Sequence, residues 1–352
     1  MIPATYVYPY VTFSAESEQT FSWQTPSTSG SPGTEEFEYS VGEGDWETLS
    51  ENQIVTFGGT NGTLRLRGTA PNGTRKKEIK FGKSTLVACS GDIRTLVDWE
   101  NYAQAETAQA KFQGLFDECA QLTSAPTLPA IELAANCYAG MFYGCENLTS
   151  APALPATELA EGCYSGMFAD CTQLTSAPEL PATKMKAQCY KEMFIYTSLA
   201  EAPELPADVL AEECYRGMFV YTPLVSAPVL PATELAKGCY YGMFALCDNL
   251  TSSPELKATI LVDECYSHMF YSCPSLSKVT MLATDYDDTG SDYFKDWLHN
   301  VAAAGTVYVK EGSKISLPSE SASGIPSGWN VVSRQSSAGL DDFGFGGSLT
   351  GK

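Results

Sequence analysis

Hydrophobic side chains between residues 112 and 282 return in register every 25 to 26 positions, and within each return their spacing changes midway. One unit reads LTSAPALPATELAEGCYSGMFADC, from Leu148 to Cys171. The phenylalanines in register are Phe116, Phe142, Phe168, Phe194, Phe219, Phe244 and Phe270, and the prolines of the APxLP phrase begin at Pro126, Pro152, Pro178, Pro203, Pro228 and Pro254. In LTSAPxLP the two prolines hold the backbone extended, because proline fixes its own φ and biases the preceding residue toward β, so this half predicts a strand. In the second half Thr157 suits an N-cap, Glu158 and Glu161 suit a first turn, and Leu159, Cys163 and Met167 fall at i, i+4 and i+8, with Tyr164 and Phe168 widening the stripe. That spacing predicts a short amphipathic helix.

One strand and one three-turn helix cannot bury these side chains alone, whereas stacked copies can. The predicted fold class is therefore α/β: a leucine-rich-repeat-like right-handed solenoid of about seven strand-plus-helix units, with an N-terminal antiparallel β domain and a C-terminal β cap. Residues 1–85 alternate as half-buried strands do, for example in Tyr6–Phe13 and Thr63–Arg67, with turn signals GEGD, GGTNG and PNGT between them. The expected organisation is a β domain at 1–85, an N-terminal cap of the solenoid at 86–111, the repeats at 112–282, a C-terminal cap at 283–334 and a flexible Gly/Ser-rich tail at 335–352.

The 12 cysteines acquire a place in this scheme. Cys137, Cys163, Cys189, Cys214, Cys239 and Cys265 share one repeat position; Cys119, Cys145, Cys171, Cys247 and Cys273 share another, where Thr197 and Thr222 stand in two copies. Metal sites favour C-x2-C or C-x4-C clusters, and the chain has only 2 histidines, His268 and His299. Disulfides between stacked units are conceivable at strand-like spacing, but the two threonines show that no bond is required at that position. The cysteines therefore read as buried, reduced, small hydrophobic side chains.

The phrase LPATxLAxxCYxGMFxxCxxLTSAP resembles the BspA-like leucine-rich repeats of surface and adhesin-type proteins of anaerobic bacteria, of protists and of phages of gut bacteria. The likeness covers Phe112 to Leu282 by repeat, and segments on both flanks are similar to those that precede and close such arrays. Lys111 and Phe112, where CY is expected, and Lys257, where proline is expected, mark atypical terminal units. The resemblance implies a right-handed α/β solenoid, a binding or adhesive role and no catalytic residues.

A formal net charge of −21 repels a phosphate backbone, which excludes nucleic acid as a partner. No apolar run approaches the roughly 20 residues that span a bilayer, so no membrane partner is expected. The opening MIPATYVYPYVTFSAES lacks the basic and apolar regions of a Sec signal, which shifts the expectation toward a virion protein assembled in the cytoplasm.

Several motifs compete for attention. GGSLTGK, Gly346 to Lys352, meets part of the phosphate-loop pattern but offers no following Ser or Thr for magnesium. Asp285, Asp287, Thr289, Gly290 and Asp296 fall at positions of a calcium loop, yet the preceding LSKVTMLA reads as a strand rather than an entering helix, and an acidic lead into a helix FKDWLHNV is the expectation. The sequons at Asn61, Asn72, Asn147 and Asn249 are three-residue matches, two of them part of the repeat phrase. His268 occupies a position held by glycine in most copies and reads as a surface substitution. No catalytic site, cofactor or metal is predicted.

Recognition then falls to exposed variable positions. The x of APxLP is Thr127, Ala153, Glu179, Glu204, Val229 and Glu255, and Tyr143, Tyr196, Tyr221 and Tyr271 add aromatic surface, with Tyr241 nearby. The expected ligand-binding residues are Glu179, Glu204, Glu255, Tyr143, Tyr196, Tyr221 and Tyr271. The expected function is non-enzymatic adhesion from a virion or bacterial surface to a host-surface protein or glycan. The alternative is a phage decoration or assembly protein whose repeats contact other virion proteins or copies of itself.

Overall fold

A computed structural model describes residues 9–25, 36–74, 77–105, 107–286, 292–317 and 324–334. The first strands are β1 (Val11–Ser14), β2 (Gln19–Gln24), β3 (Glu36–Val41), β4 (Glu47–Thr48), β5 (Ile54–Phe57), β6 (Leu64–Thr69), β7 (Glu78–Phe81), β8 (Val87–Ser90) and β9 (Leu122–Ser124). They form a six-stranded sheet in the order β4-β3-β6-β1-β8-β9 and a three-stranded sheet in the order β5-β2-β7. All their pairings are antiparallel except β8 with β9, which is parallel. Alternation explains the packing: in β2 Phe21 and Trp23 are buried and their neighbours less so. Trp23 meets Phe37 of the other sheet at 4.8 Å, and Phe13 meets Phe21 at 6.0 Å. Phe13 also lies 6.2 Å from Phe116, which joins this core to the first repeat.

The expected α/β solenoid of strand-plus-helix units is overturned, because the described residues contain no α-helix and only three short 3-10 turns at Gly59–Asn61, Ile93–Leu96 and Tyr102–Gln104. The segment read as a helix is a run of overlapping turns. Within one unit the amides of Cys137, Ala139, Met141, Tyr143 and Cys145 donate to carbonyls three residues back, at 3.1–3.3 Å. The intervening amides of Asn136, Tyr138, Gly140, Phe142 and Gly144 donate instead to Glu161, Cys163, Ser165, Met167 and Ala169 of the next unit, at 2.8–3.0 Å. An α-helix satisfies its amides within one segment; here every second donor crosses to the neighbour. Every fourth residue has positive φ, as at Gly140 (59°), Gly144 (67°), Gly162 (57°), Gly166 (60°) and Asp170 (59°), a region that glycine enters freely and other residues enter at a cost. Thr157 caps no helix, and the expected helix FKDWLHNV is likewise a run of turns over 293–300.

The strand half also departs from expectation. No ladder runs through the central units, where isolated bridges such as Lys184↔Val209 and Val209↔Glu234 take its place. The repeated prolines supply no amide donor, and a ladder needs one at each bonded position. Ladders form where prolines thin out. The remaining strands are β10 (Ser252–Leu256), β11 (Ile260–Leu261), β12 (Lys278–Met281), β13 (Asp285–Tyr286), β14 (Gly305–Lys310) and β15 (Trp329–Arg334). β12 has no proline, and it leads into a parallel sheet ordered β10-β12-β14-β15. β11 pairs with β13.

The core follows the stacking. Rings at one repeat position lie nearly parallel, from Phe116–Phe142 at 5.3 Å to Phe244–Phe270 at 5.8 Å, and a second column runs through Tyr138, Tyr164, Tyr190, Tyr215, Tyr240 and Tyr266. All 12 cysteines are free and buried, 11 of them in the repeats and Cys89 in β8. Among the described residues no helix is long and apolar enough to cross a membrane.

Candidate functional site

The extended segments place every x of APxLP on the surface: Thr127, Ala153, Glu179, Glu204, Val229 and Glu255 are exposed, beside buried leucines such as Leu180 and Leu205. One groove opens on this face, with a cavity volume of about 350 Å³. Pro203, Glu204, Pro206, Pro228 and Val229 line it. Glu179 and Glu255 are exposed but are not among its lining residues, and neither is any of the four tyrosines.

The turn run presents a different face, because its buried pairs alternate with two outer rows, exposed to half-buried at most positions and buried where a small residue such as Ala169, Ala245 or Ser267 stands. Counting from each methionine, one row lies two and three residues after it and the other two and one residues before it. In the first row Tyr143 and Tyr271 share one repeat position, and Asp170, Tyr196 and Tyr221 share the next, so the expected set of four tyrosines divides in two. Tyr143, Tyr196 and Tyr221 are 41, 43 and 46% exposed, whereas Tyr271 is half-buried and stacks on His299 at 5.1 Å. Tyr196 and Tyr221 stack on each other with centroids 4.4 Å apart and planes 16° from parallel. Hydrogen bonding to the Asp170 carboxylate, and then its charge, raises the Tyr143 phenol above its ordinary value. Tyr196 is raised by partial desolvation, then by Tyr221 and by the charge of Asp170. Asp170 thus joins the tyrosines where Glu179, Glu204 and Glu255 do not. The register shows it in advance, since Asp170 occupies the repeat position of Tyr196.

In the neighbouring row two cations, Lys191 and Arg216, are held by Glu213, which lies just outside it. Glu213 accepts from Lys191 Nζ at 3.0 Å and Arg216 at 2.7 Å, and the Arg216 guanidinium lies 4.1 Å above the Tyr241 ring. Burial pushes the Glu213 carboxyl up, but the two cations outweigh it and hold the group below its usual range. His268 is half-buried and stacks on Tyr241 at 5.0 Å, so it is no simple surface substitution. Desolvation lowers its pKa against the opposing pull of Asp296 at 3.6 Å. Ser267 lies 3.0 Å from the other ring nitrogen, but the residue is 1% exposed and its hydroxyl also faces the Lys295 carbonyl, so this Ser-His-Asp line presents no accessible nucleophile.

Among the described residues no group of three or more His, Cys, Asp or Glu side chains is placed to hold a metal ion. Of the calcium-loop positions, Asp285 is bound by Lys314 and Asp296 faces His268, while Asp287, Thr289 and Gly290 lie outside the described residues, as do Gly346 to Lys352. A second cavity, of about 670 Å³, opens between the β domain and the first repeat, lined by Ser14, Glu16, Ser17, Thr85, Leu86 and Thr123. No protein-family model matches this chain, and no curated protein or solved structure does.

Proposed function

We propose that this chain is a non-enzymatic binding protein of the BspA-like repeat type, displayed on a virion or cell surface, which attaches to a protein or glycan through the exposed face of its stacked repeats. The observation that carries the reading is the Tyr196–Tyr221 pair. The rings at the neighbouring Phe position of each repeat are buried, yet these two are stacked and close to half exposed. Stacked surface tyrosines offer a rigid, amphipathic contact area at low entropy cost, the property that recurs in recognition surfaces. The test is attachment of the labelled full chain to host cells and to a glycan array. Tyr196→Asn together with Tyr221→Asn is the matched variant, since asparagine tolerates the positive φ of 58° and 59° at those sites. Attachment should fall at least tenfold; equal attachment by the double variant would refute the reading.

A second reading, assembly through the repeats, draws on Val209, Val225 and Val229, which are 51, 58 and 70% exposed, the last of them beside the proline-lined groove. Apolar patches of this kind suit protein contacts. Under it, Val229→Lys lowers incorporation into particles and leaves cell attachment unchanged.

A further inference from the structure

Two arginines of this protein are held in the same way. Arg216 donates to the Glu213 carboxylate at 2.7 Å and lies 4.1 Å over the ring of Tyr241, one unit further along. Arg67 donates to Glu38 at 2.7 Å and lies 4.0 and 3.7 Å from the rings of Trp46 and Trp99. A carboxylate fixes the planar guanidinium by hydrogen bonds while an aromatic face meets its flat side.

The same parts meet on the tyrosine row. Asp170 and Tyr196 occupy one repeat position in consecutive units, and Tyr221 follows in the next. The order of units puts Tyr221 on one face of the Tyr196 ring and Asp170 on the side of the other. The Asp170 amide donates to the Ile195 carbonyl at 2.9 Å, which sets Asp170 against the residue preceding Tyr196, and the carboxylate raises the phenols of both Tyr143 and Tyr196. The row holds Asp117, Tyr143, Ala169, Ile195, Val220, Ala245, Tyr271 and His299 at one position, and Glu118, Gly144, Asp170, Tyr196, Tyr221, Leu246, Ser272 and Asn300 at the other. Neither carries a lysine or arginine, and Lys191 and Arg216, each two residues before the methionine of its own unit, are bound to Glu213.

We propose that Asp170 and the face of Tyr196 turned toward it form a seat for an arginine side chain of a partner protein, with Tyr143 and Tyr221 as its flanks. Charge complementarity selects this occupant: the chain carries a formal charge of −21, so a basic segment is drawn to it and an acidic one repelled. Arginine is favoured over lysine because its plane can both stack and bond a carboxylate bidentately. The inference rests on the proposed binding role and narrows its partner to a protein that offers a basic, arginine-bearing segment.

The experiment titrates the full chain with an acetylated tetra-arginine peptide, and separately with tetra-lysine, at about 0.15 M salt. The variants are Asp170→Asn, Tyr196→Asn, Tyr196→Phe and, as a remote acidic control, Glu179→Gln. Asp170→Asn should weaken tetra-arginine binding about tenfold and Tyr196→Asn about three- to fivefold, in keeping with the strengths of a charge-assisted bond and an exposed cation–π contact. Tyr196→Phe keeps the ring and should bind as the parent does, as should Glu179→Gln, and tetra-lysine should bind several-fold more weakly than tetra-arginine. Equal losses for Asp170→Asn and Glu179→Gln, or no loss for either Asp170→Asn or Tyr196→Asn, would overturn the seat and leave diffuse attraction by an acidic surface. If Tyr196→Asn with Tyr221→Asn abolishes cell attachment while peptide affinity is unchanged, the binding role stands and the arginine seat falls.

Discussion

The Sγ of Cys171 donates to the carbonyl oxygen of Phe142 at 3.1 Å, a contact that crosses from one repeat to the one before it. Cys145 reaches Phe116, Cys247 reaches Phe219 and Cys273 reaches Phe244 in the same way, at 3.0–3.2 Å. Where threonine replaces cysteine the hydroxyl turns back into its own unit: Thr197 donates to Phe194 at 2.8 Å and Thr222 to Phe219 at 2.7 Å. Both side chains satisfy a buried carbonyl, so Cys171→Thr should cost under about 1.5 kcal/mol and Cys171→Asp over about 3 kcal/mol, since the latter buries an unpaired charge. Denaturant midpoints of the two variants decide it.

Burial pushes the thiols up, Cys119, Cys137 and Cys189 to about 12 and Cys247 to about 11, against an ordinary value of 9.0. Above pH 9 the unfolded chain therefore releases thiol protons that the folded chain retains, so the unfolded state binds fewer protons and stability falls as pH rises. Below pH 8 the same groups are protonated in both states and contribute no slope. Urea midpoints should be flat in this respect from pH 6 to 8 and drop steeply between about pH 9 and 11. A thiol reagent at pH 8 should label none of the 12 cysteines in the native protein and all of them in urea.

Gly166 separates the turn run from a helix by the sign of one measurement. Its φ is +60°, and a Cβ placed there meets nothing within 4 Å, so substitution acts through the backbone alone. Gly166→Ala should destabilise by about 1–2 kcal/mol and Gly166→Asn by less, because asparagine enters the left-handed region more readily. In the interior of an α-helix the alanine variant would instead stabilise by about 0.5–1 kcal/mol.

Phe194 is fully buried between Phe168 at 5.8 Å and Phe219 at 5.9 Å, in a column with nothing else to fill its place. Phe194→Ala should cost about 3–5 kcal/mol and Phe194→Leu clearly less, read as the shift in thermal or denaturant midpoint.

The period, the stacking column of Phe116 to Phe270 and the exposure of Glu179, Glu204 and Glu255 were all legible in the sequence, since a side chain that returns at a fixed interval has a fixed place in a stack. The conformation between Cys137 and Cys145 was not. Apolar residues at i, i+4 and i+8 fit a helix turning about 100° per residue, but they equally fit a four-residue repeat, and nine residues are too few to separate the two. The glycines carried the distinguishing signal: Gly140 with Gly144, Gly162 with Gly166 and Gly238 with Gly242 each stand four apart, where a helix interior disfavours glycine and a left-handed position requires it. Asp170 was missed for a different reason. Its significance lies in the unit that follows it, and only the alignment of repeats makes it a neighbour of Tyr196.

Because Asn136, Tyr138, Gly140, Phe142 and Gly144 all donate into the following unit, no single repeat can complete its own backbone. A fragment cut between units would leave a row of amides facing solvent with no partner. Growth of the array is therefore templated, each new turn run supplying the carbonyls that the previous one needs. At the N-terminal end β7 takes the place of a preceding unit: the Ile79 amide donates to the Leu115 carbonyl at 2.9 Å and Lys80 Nζ to the Asp117 carbonyl at 2.8 Å, so the first turn run's carbonyls are used by the β domain rather than left open to a further copy.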